Sequence, residues 1–408
     1  MNICLFTENY YKGGLDTFLI NLINAWPNLT DKFTLICNEN HTGLDTISQK
    51  INRPIVIKKY NRIFTRFHLE QGSASGCFRA LWGARFISLT YNLLQYPFLF
   101  PWYIFTLLLL FWQSNYDRLI VVNGGYPASL LCRTALISWR ISGKRPLGVM
   151  SFHNSTSVSP WYFKVFENLI DKLVVSSSSS IVSVSKNCLN SLKCRSAFDE
   201  CRNLFYIFNG IEDPLVISKL DSSVVDFESN TKKYCLMLAT YEIRKGHTYL
   251  LRAFHEVVKK IPLLQLHVYG HDLSGQKARL KNEIIELKLE NNVVLNDFIM
   301  HPESVIAGAS ILVVPSQAYE SFGLTIIEAM ALCVPVVATD VGGIPEVLQD
   351  SCAGLICSKD DPMEFAAAIV KILGDATLAS ELGRNGRDTF EKKFTSKKMA
   401  SNYQKLLE

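Results

Sequence analysis

The sequence predicts an α/β protein made of two Rossmann-like, doubly wound parallel-sheet domains. Three observations carry that expectation. At 408 residues the chain exceeds one ordinary domain and suits two of about 200 residues, each large enough for a complete core. Short apolar runs alternate with helix-length segments in two separate series, the alternation that builds parallel sheets. Between the series, residues 213–233 are rich in Ser, Asp and Asn without a long apolar period, and they read as a linker.

The first series has strand-like runs at 3–7, 33–37, 54–58, 118–122, 147–152 and 181–185. The second has them at 234–239, 264–269, 293–295, 311–314, 335–338 and 354–356. Most are unbroken apolar runs, as strands covered on both faces should be. Ser176 to Ser180 form a short serine run that reads as a loop. Residues 377–407 form a terminal helical region, interrupted near Phe394-Thr395.

Residues 86–116 contain no Asp, Glu, Lys, Arg or His, and the part from 96 to 112 is almost wholly apolar and aromatic. A spanning helix needs about 20 apolar residues, and this segment reaches that length only by accepting Pro97 and Pro101 inside it. Arg62, Arg66, Arg79 and Arg85 precede it, and Arg118, Arg133 and Arg140 follow. The preferred reading is a surface that dips into the interface of an anionic bilayer; the alternatives are an ordinary core helix and, behind it, a true spanning helix.

Composition bounds the rest. An apolar fraction of 48% and a charged fraction of 19% describe a globular chain. Residues 1–205 carry 21 Lys and Arg against 11 Asp and Glu, while the remainder carries 21 against 26. The basic half should face an anionic partner, and membrane ranks above nucleic acid because no nucleic-acid-binding motif accompanies the charge. Eleven cysteines without a CxxC pair point to a reducing compartment and not to zinc; Cys4, Cys37 and Cys235 sit in apolar strands as small buried hydrophobes. The N-terminus opens directly on a strand with no basic n-region, so no secretory signal is expected and the protein should stay on the cytosolic side.

The segment 315–348, PSQAYESFGLTIIEAMALCVPVVATDVGGIPEVL, says most about function. It reads as strand, loop, helix, strand and Gly-Gly turn, with its polar residues at the carboxyl ends of the strands, where open α/β sheets bind ligands. Glu320 lies in the loop and Glu328 one to two turns into a helix that starts after Gly323. Between them the Phe322, Gly323 and Leu324 amides form a helix N-terminus suited to a diphosphate. A carboxylate beside an anion site calls for a neutral, hydroxyl-rich group between them, the shape of a nucleotide diphosphate sugar.

These residues resemble the signature of retaining glycosyltransferases of the GT-B fold, family four (glycosyl transferases group 1), in which two glutamates flank seven residues. Gly13-Gly14, the NGIE of Asn209 to Glu212, Lys245-Gly246 and Gly342-Gly343 fall in the family's order, so the resemblance covers nearly the whole chain. It implies two Rossmann-like domains facing across a cleft: residues 1–206, with 391–408 crossing back, for the acceptor, and 207–390 for the nucleotide sugar. It further implies that Glu320 accepts hydrogen bonds from donor-sugar hydroxyls and that Glu328 holds the ribose hydroxyls. Lys245 is a point charge for the diphosphate, and Gly13-Gly14 let backbone approach a phosphate closely, although a Gly pair in such a turn needs no ligand. His153, ending a strand, would contact the donor sugar; taken alone, a histidine there is as often structural.

Two positions depart from the family pattern. Thr240 stands where members usually carry Arg, so one of two diphosphate cations is missing unless Arg244 supplies it. Cys333 replaces a usual Gly, expected as a packing change. No Asp-x-Asp is present, so no metal and no cofactor are expected beyond the nucleotide-sugar co-substrate. The resulting expectation is a retaining, metal-independent hexosyl- or N-acetylhexosaminyltransferase, peripheral at the inner face of the cytoplasmic membrane. It would act on a lipid-linked oligosaccharide acceptor in lipopolysaccharide O-antigen or capsule synthesis. The alternatives are a soluble acceptor or a non-catalytic nucleotide-sugar-binding scaffold; a dehydrogenase would need GxGxxG after the first strand, which is absent.

Overall fold

The computed structural model describes residues 1–60, 95–217, 234–272, 275–349 and 351–408. They fall into two compact units, one of Met1–Val184, Leu189–Ile207 and Ser401–Glu408, the other of Ser185–Cys188 and Phe208–Ala400.

The first unit is built on a seven-stranded parallel sheet of β1 (Asn2–Thr7), β2 (Lys32–Asn38), β3 (Ile55–Tyr60), β4 (Arg118–Asn123), β5 (Gly148–Phe152), β6 (Ser178–Ser183) and β7 (Leu204–Tyr206). Their order is β3-β2-β1-β4-β5-β6-β7, so the winding reverses between β1 and β4. Ile3, Cys4, Leu5 and Phe6 are fully buried, which explains the unbroken apolar run: helices cover both sheet faces. The second unit has a six-stranded parallel sheet of β8 (Tyr234–Leu238), β9 (Gln265–Tyr269), β10 (Val293–Asn296), β11 (Ile311–Val314), β12 (Val336–Thr339) and β13 (Gly354–Cys357). Its order is β10-β9-β8-β11-β12-β13. The reversal lies between β8 and β11, and the loops leaving those two strands carry Lys245 and Glu320.

Several expectations are corrected. The serine run is no loop: Ser178 to Ser180 open β6, and Ser176 and Ser177 end the helix Lys164–Ser177. Ser178 Oγ donates to the Val174 carbonyl at 2.8 Å and Ser179 Oγ to that of Gly148 at 3.3 Å, while Ser177 Oγ is buried without a hydrogen-bond partner among the described residues. β7 went unforeseen because it has three residues, two of them exposed. The terminal segment joins the first unit at Ser401, not at 391. Phe390 and Phe394 are buried in the second unit, where Phe394 packs on Phe208 and Phe322, and the Ile211 amide donates to the Phe394 carbonyl at 3.0 Å. Residues 218–233 of the linker lie outside the described residues, as do Arg62, Arg66, Arg79, Arg85 and 86–94.

The apolar stretch divides by face. In the helix Phe100–Trp112, Tyr103, Leu107 and Phe111 are buried at helical spacing, and Phe111 meets Trp139 edge-on at 5.3 Å. Phe98, Trp102 and Phe105 stay exposed at 65%, 49% and 55%. Further along the chain, Trp161 and Val165 are also exposed, at 85% and 81%, and Tyr96 stacks on Phe166 at 5.5 Å to tie the two segments together. Among the described residues no helix is long and apolar enough to cross a membrane.

Candidate active site

In the second unit the Lys245 ammonium donates to Glu320 Oε2 at 2.5 Å, with both side chains mostly buried. Backbone contact sets that distance. Lys245 closes a single 3₁₀ turn, Ile243–Lys245, after β8, and Gly246 follows at φ +78. A Cβ on Gly246 would stand 1.8 Å from the Pro315 carbonyl oxygen, so only glycine lets this turn lie on the strand end that leads to Glu320. The Gln317 amide donates to the Arg244 carbonyl at 2.8 Å. From the other side, Gly342 at φ +63 would place a Cβ 2.1 Å from the Glu320 carbonyl oxygen, and the Gly343 amide donates to that oxygen at 2.7 Å. Ser316 Oγ adds a 3.3 Å hydrogen bond to Glu320 Oε2, while Thr339 Oγ1 fixes the Ser316 carbonyl at 2.5 Å.

Beyond Glu320 the chain enters the helix Leu324–Ala331, with Gly323 as N-cap at φ +92. The Ile326 amide turns back to the Gly323 carbonyl at 3.0 Å, which leaves the Gly323, Leu324 and Thr325 amides without intrahelical acceptors. They form the positive end of the helix. The Phe322 side chain is core, against Phe208 and Phe394, so any ligand role falls to its amide. Glu328 stands on the same helix, half-buried and without a hydrogen-bond partner among the described residues. Burial, helped by the charge of Glu303, pushes its carboxyl up to about 7. It is not a solvated helix residue.

Arg244 is oriented by neighbours that the sequence did not single out. Its Nε donates to Glu242 Oε2 at 2.6 Å, and its guanidinium lies 4.9 Å over the Tyr319 ring. Thr240 Oγ1 donates to Glu242 Oε1 at 2.7 Å. Thr240 thus steadies the carboxylate that holds Arg244. Tyr319, one residue before Glu320, brings the arginine to the same loop. The signal available was the closeness in sequence of Thr240, Glu242 and Arg244, in a tight turn where the Glu242 amide donates to the Thr240 carbonyl at 2.7 Å and Arg244 enters the 3₁₀ turn.

Cys333 is a backbone matter more than a packing one. It sits at φ +57, the Cys333 amide donates to the Met330 carbonyl at 3.2 Å and the Val334 amide to that of Ala329 at 2.9 Å. This is a Schellman ending, whose left-handed position favours glycine.

In the first unit, Gly13 caps the helix Gly14–Asn24 with an extended backbone. Its amide is already engaged, donating to Asp16 Oδ2 at 3.1 Å. The other Asp16 oxygen meets Asn9 Nδ2 at 3.0 Å and His41 Nε2 at 2.9 Å. Gly14 lies exposed beside it. His153 follows β5, and its ring rests on Phe18 of the same helix at 4.1 Å. Burial pushes the imidazole down to about 3, so it is neutral at physiological pH. Nε2 pairs with Ser151 Oγ at 2.9 Å, and that hydroxyl with Tyr403 at 2.7 Å. The terminal helix therefore orients a neutral histidine. Of the anticipated residues, Glu320, Lys245, Arg244 and the 322–324 amides gather around one loop of the second unit, with Glu328 on its helix; in the first unit Gly13 and Gly14 open one helix, and His153, after β5, rests against Phe18 of that helix.

The family described as glycosyl transferases group 1 matches residues 221–389. An uncharacterised glycosyltransferase of Methanocaldococcus jannaschii is 27% identical over 249 residues, 58% of this chain and 61% of its own length. The capsular polysaccharide biosynthesis glycosyltransferase CapM of Staphylococcus aureus is 33% identical over 152 residues, 37% of this chain and 40% of its own. The chain thus spans less than two thirds of either relative. A crystal structure of Anabaena HepE in complex with UDP and glucose aligns over 100% of this chain and 99% of its own with a TM-score of 0.70 and 18% identity. With its two parallel-sheet α/β units and this likeness, the chain has the GT-B fold.

Proposed function

We propose that this chain, whose residues 221–389 match the family described as glycosyl transferases group 1, is a retaining, metal-independent glycosyltransferase of that family. On this reading it moves a sugar from a nucleotide donor, uridine diphosphate sugar first, to a lipid-linked or polysaccharide acceptor in cell-surface polysaccharide synthesis. The observation that carries the proposal is the Lys245–Glu320 pair at 2.5 Å beside the free amides that open Leu324–Ala331. A cation and a helix N-terminus suit a diphosphate, and the carboxylate between them suits sugar hydroxyls. The uridine donor draws support from HepE, solved with UDP, and the polysaccharide acceptor from CapM.

In the proposed reaction the bond from the sugar anomeric carbon to the diphosphate oxygen breaks while the acceptor hydroxyl attacks from the same face. The acceptor proton passes to the leaving phosphate oxygen, so no side-chain base is required. Lys245, Arg244 and the Phe322, Gly323 and Leu324 amides would stabilise the charge that develops on the diphosphate. Glu320 would hold the sugar and Glu328 the ribose. Neutral His153, with Gly13 and Gly14, would border the donor sugar and diphosphate from the first unit.

The exposed aromatics Phe98, Trp102 and Trp161, on the basic half of the chain, support peripheral attachment at the inner face of the cytoplasmic membrane, which would bring a lipid-linked acceptor within reach. A donor panel assayed with wild type and Glu320→Ala tests the chemistry. Transfer with retained anomeric configuration, insensitive to EDTA, is expected from wild type and none from the folded variant; an active Glu320→Ala enzyme refutes the assignment. A scaffold would bind a donor without consuming it. Failure to co-sediment with anionic vesicles would favour a soluble acceptor.

A further inference from the structure

A cavity of about 460 Å³ opens in the second unit, lined by the helix His247–Lys260, the start of Gln276–Glu286 and the turn that precedes Pro362–Gly374. None of the anticipated site residues except the Lys245 turn touches it. Arg252, Arg279 and Lys359 reach it from three different elements, and none of their side-chain cations pairs with a carboxylate among the described residues, the Lys359 backbone amide alone donating to Asp340 Oδ1 at 3.1 Å. Two carboxylates share the wall. Glu242 is already neutralised by Arg244 at 2.6 Å, which leaves Asp360. The balance is a net charge of about two positives, a match for a phosphate dianion.

A second observation points the same way. His247, the first residue of its helix, is 7% exposed, and its Nε2 is buried without a hydrogen-bond partner. Its ring is hydrogen bonded to the Glu242 backbone, and burial keeps it neutral. An orphaned buried ring nitrogen beside a cavity costs about 1–3 kcal/mol unless something fills its valence. The walls are also braced: Tyr249 OH donates to the carbonyls of Ser358 at 2.7 Å and Asp361 at 2.8 Å, holding the turn that bears Lys359.

We propose that this cavity is a regulatory site for a small phosphomonoester such as a sugar phosphate, with Arg252, Arg279 and Lys359 on the phosphate and His247 on a hydroxyl. Its volume exceeds what a bare phosphate needs, and a neutral imidazole is a partner for a hydroxyl, not for a second anion. Ile243 and Gly246 belong both to its wall and to the turn that carries Lys245. Occupancy therefore acts on the backbone that sets the Lys245–Glu320 distance.

The test is independent of the transferase reading. Calorimetric titration of glucose 6-phosphate into the full chain is compared for wild type, the double variant Arg252→Gln with Arg279→Gln, and Lys245→Ala. Saturable binding by wild type, weakened at least tenfold in the double variant and kept within threefold in Lys245→Ala, is expected. The charge-preserving Arg252→Lys with Arg279→Lys pair should retain binding within tenfold, which separates loss of charge from loss of fold. No saturable binding to wild type, or a loss in Lys245→Ala equal to that in the double variant, overturns the proposal. Failure of every donor in a transfer assay would leave this result standing.

Discussion

Replacing Glu328 by Gln should remove a specific pH dependence from both stability and donor binding. The folded protein holds this carboxyl at about 7 against the ordinary 4.5. A raised folded value means that the native state binds the proton more tightly than the unfolded chain does. The stability it confers is complete below about 4.5 and is lost as pH climbs through about 7. At about 1.4 kcal/mol per pH unit, the shift corresponds to about 3 kcal/mol, which solvent reaching the half-buried side chain reduces to about 2 kcal/mol. Glutamine has no charge to desolvate. Urea unfolding at pH 5 and pH 8 should therefore show Glu328→Gln gaining about 2 kcal/mol on wild type at the higher pH. UDP-glucose is the second probe, since its diphosphate does not titrate in this range. If the ionised carboxylate accepts from the ribose hydroxyls, wild-type affinity should fall by up to about tenfold per unit as pH drops below 7, while the variant binds weakly at every pH. An unfolding difference that is equal at both pH values refutes the burial argument. Equal, parallel UDP-glucose affinities refute the ribose role.

Other outcomes follow from single contacts. Cys333→Gly should stabilise the protein by about 1 kcal/mol in urea unfolding, because glycine occupies the left-handed helix ending without strain; a destabilised variant would contradict the backbone reading. Gly342→Ala should lose more than about 2 kcal/mol and slow transfer at least about a hundredfold, since its Cβ meets the Glu320 carbonyl; near-normal kcat would show that the loop yields freely. Arg244→Gln should slow transfer about ten- to a hundredfold, with Thr240→Arg restoring part of it; an unaffected rate means that Arg244 never meets the diphosphate. His153 stays neutral from pH 5 to 8, so the kcat/KM profile should carry no limb that His153→Asn abolishes; a limb near 6 lost in that variant would place a titrating imidazole there.

The strands were legible because each is buried on both faces, and a run such as Ile3 to Phe6 has no other reason to be wholly apolar. Sequence pattern failed where burial and polarity part company. The Ser178 to Ser180 stretch is strand despite its hydroxyls, and backbone carbonyls accept from those of Ser178 and Ser179. β7 is strand despite exposed Phe205 and Tyr206, because one paired edge suffices. In the site, Glu320, Lys245 and the amides before Leu324 were visible as charges at strand ends. Their support was not: nothing in the composition says that Tyr319 carries Arg244, or that Tyr403, 252 positions away, reaches Ser151 beneath His153.

The glycines around Glu320 have a role that their motif position alone does not disclose. Gly246 and Gly342 approach the same loop from two sides, and each would drive a Cβ into a carbonyl oxygen, of Pro315 and of Glu320. Such contacts are too close for any side chain to adjust. The Lys245–Glu320 separation is consequently fixed by backbone packing, while the Tyr319 and Gln317 side chains lie at the loop's surface. Substitutions at those two should change affinity and leave the geometry of the pair intact. Substitutions at the two glycines should move the pair itself, since no rotamer change elsewhere can restore a backbone that has been pushed apart.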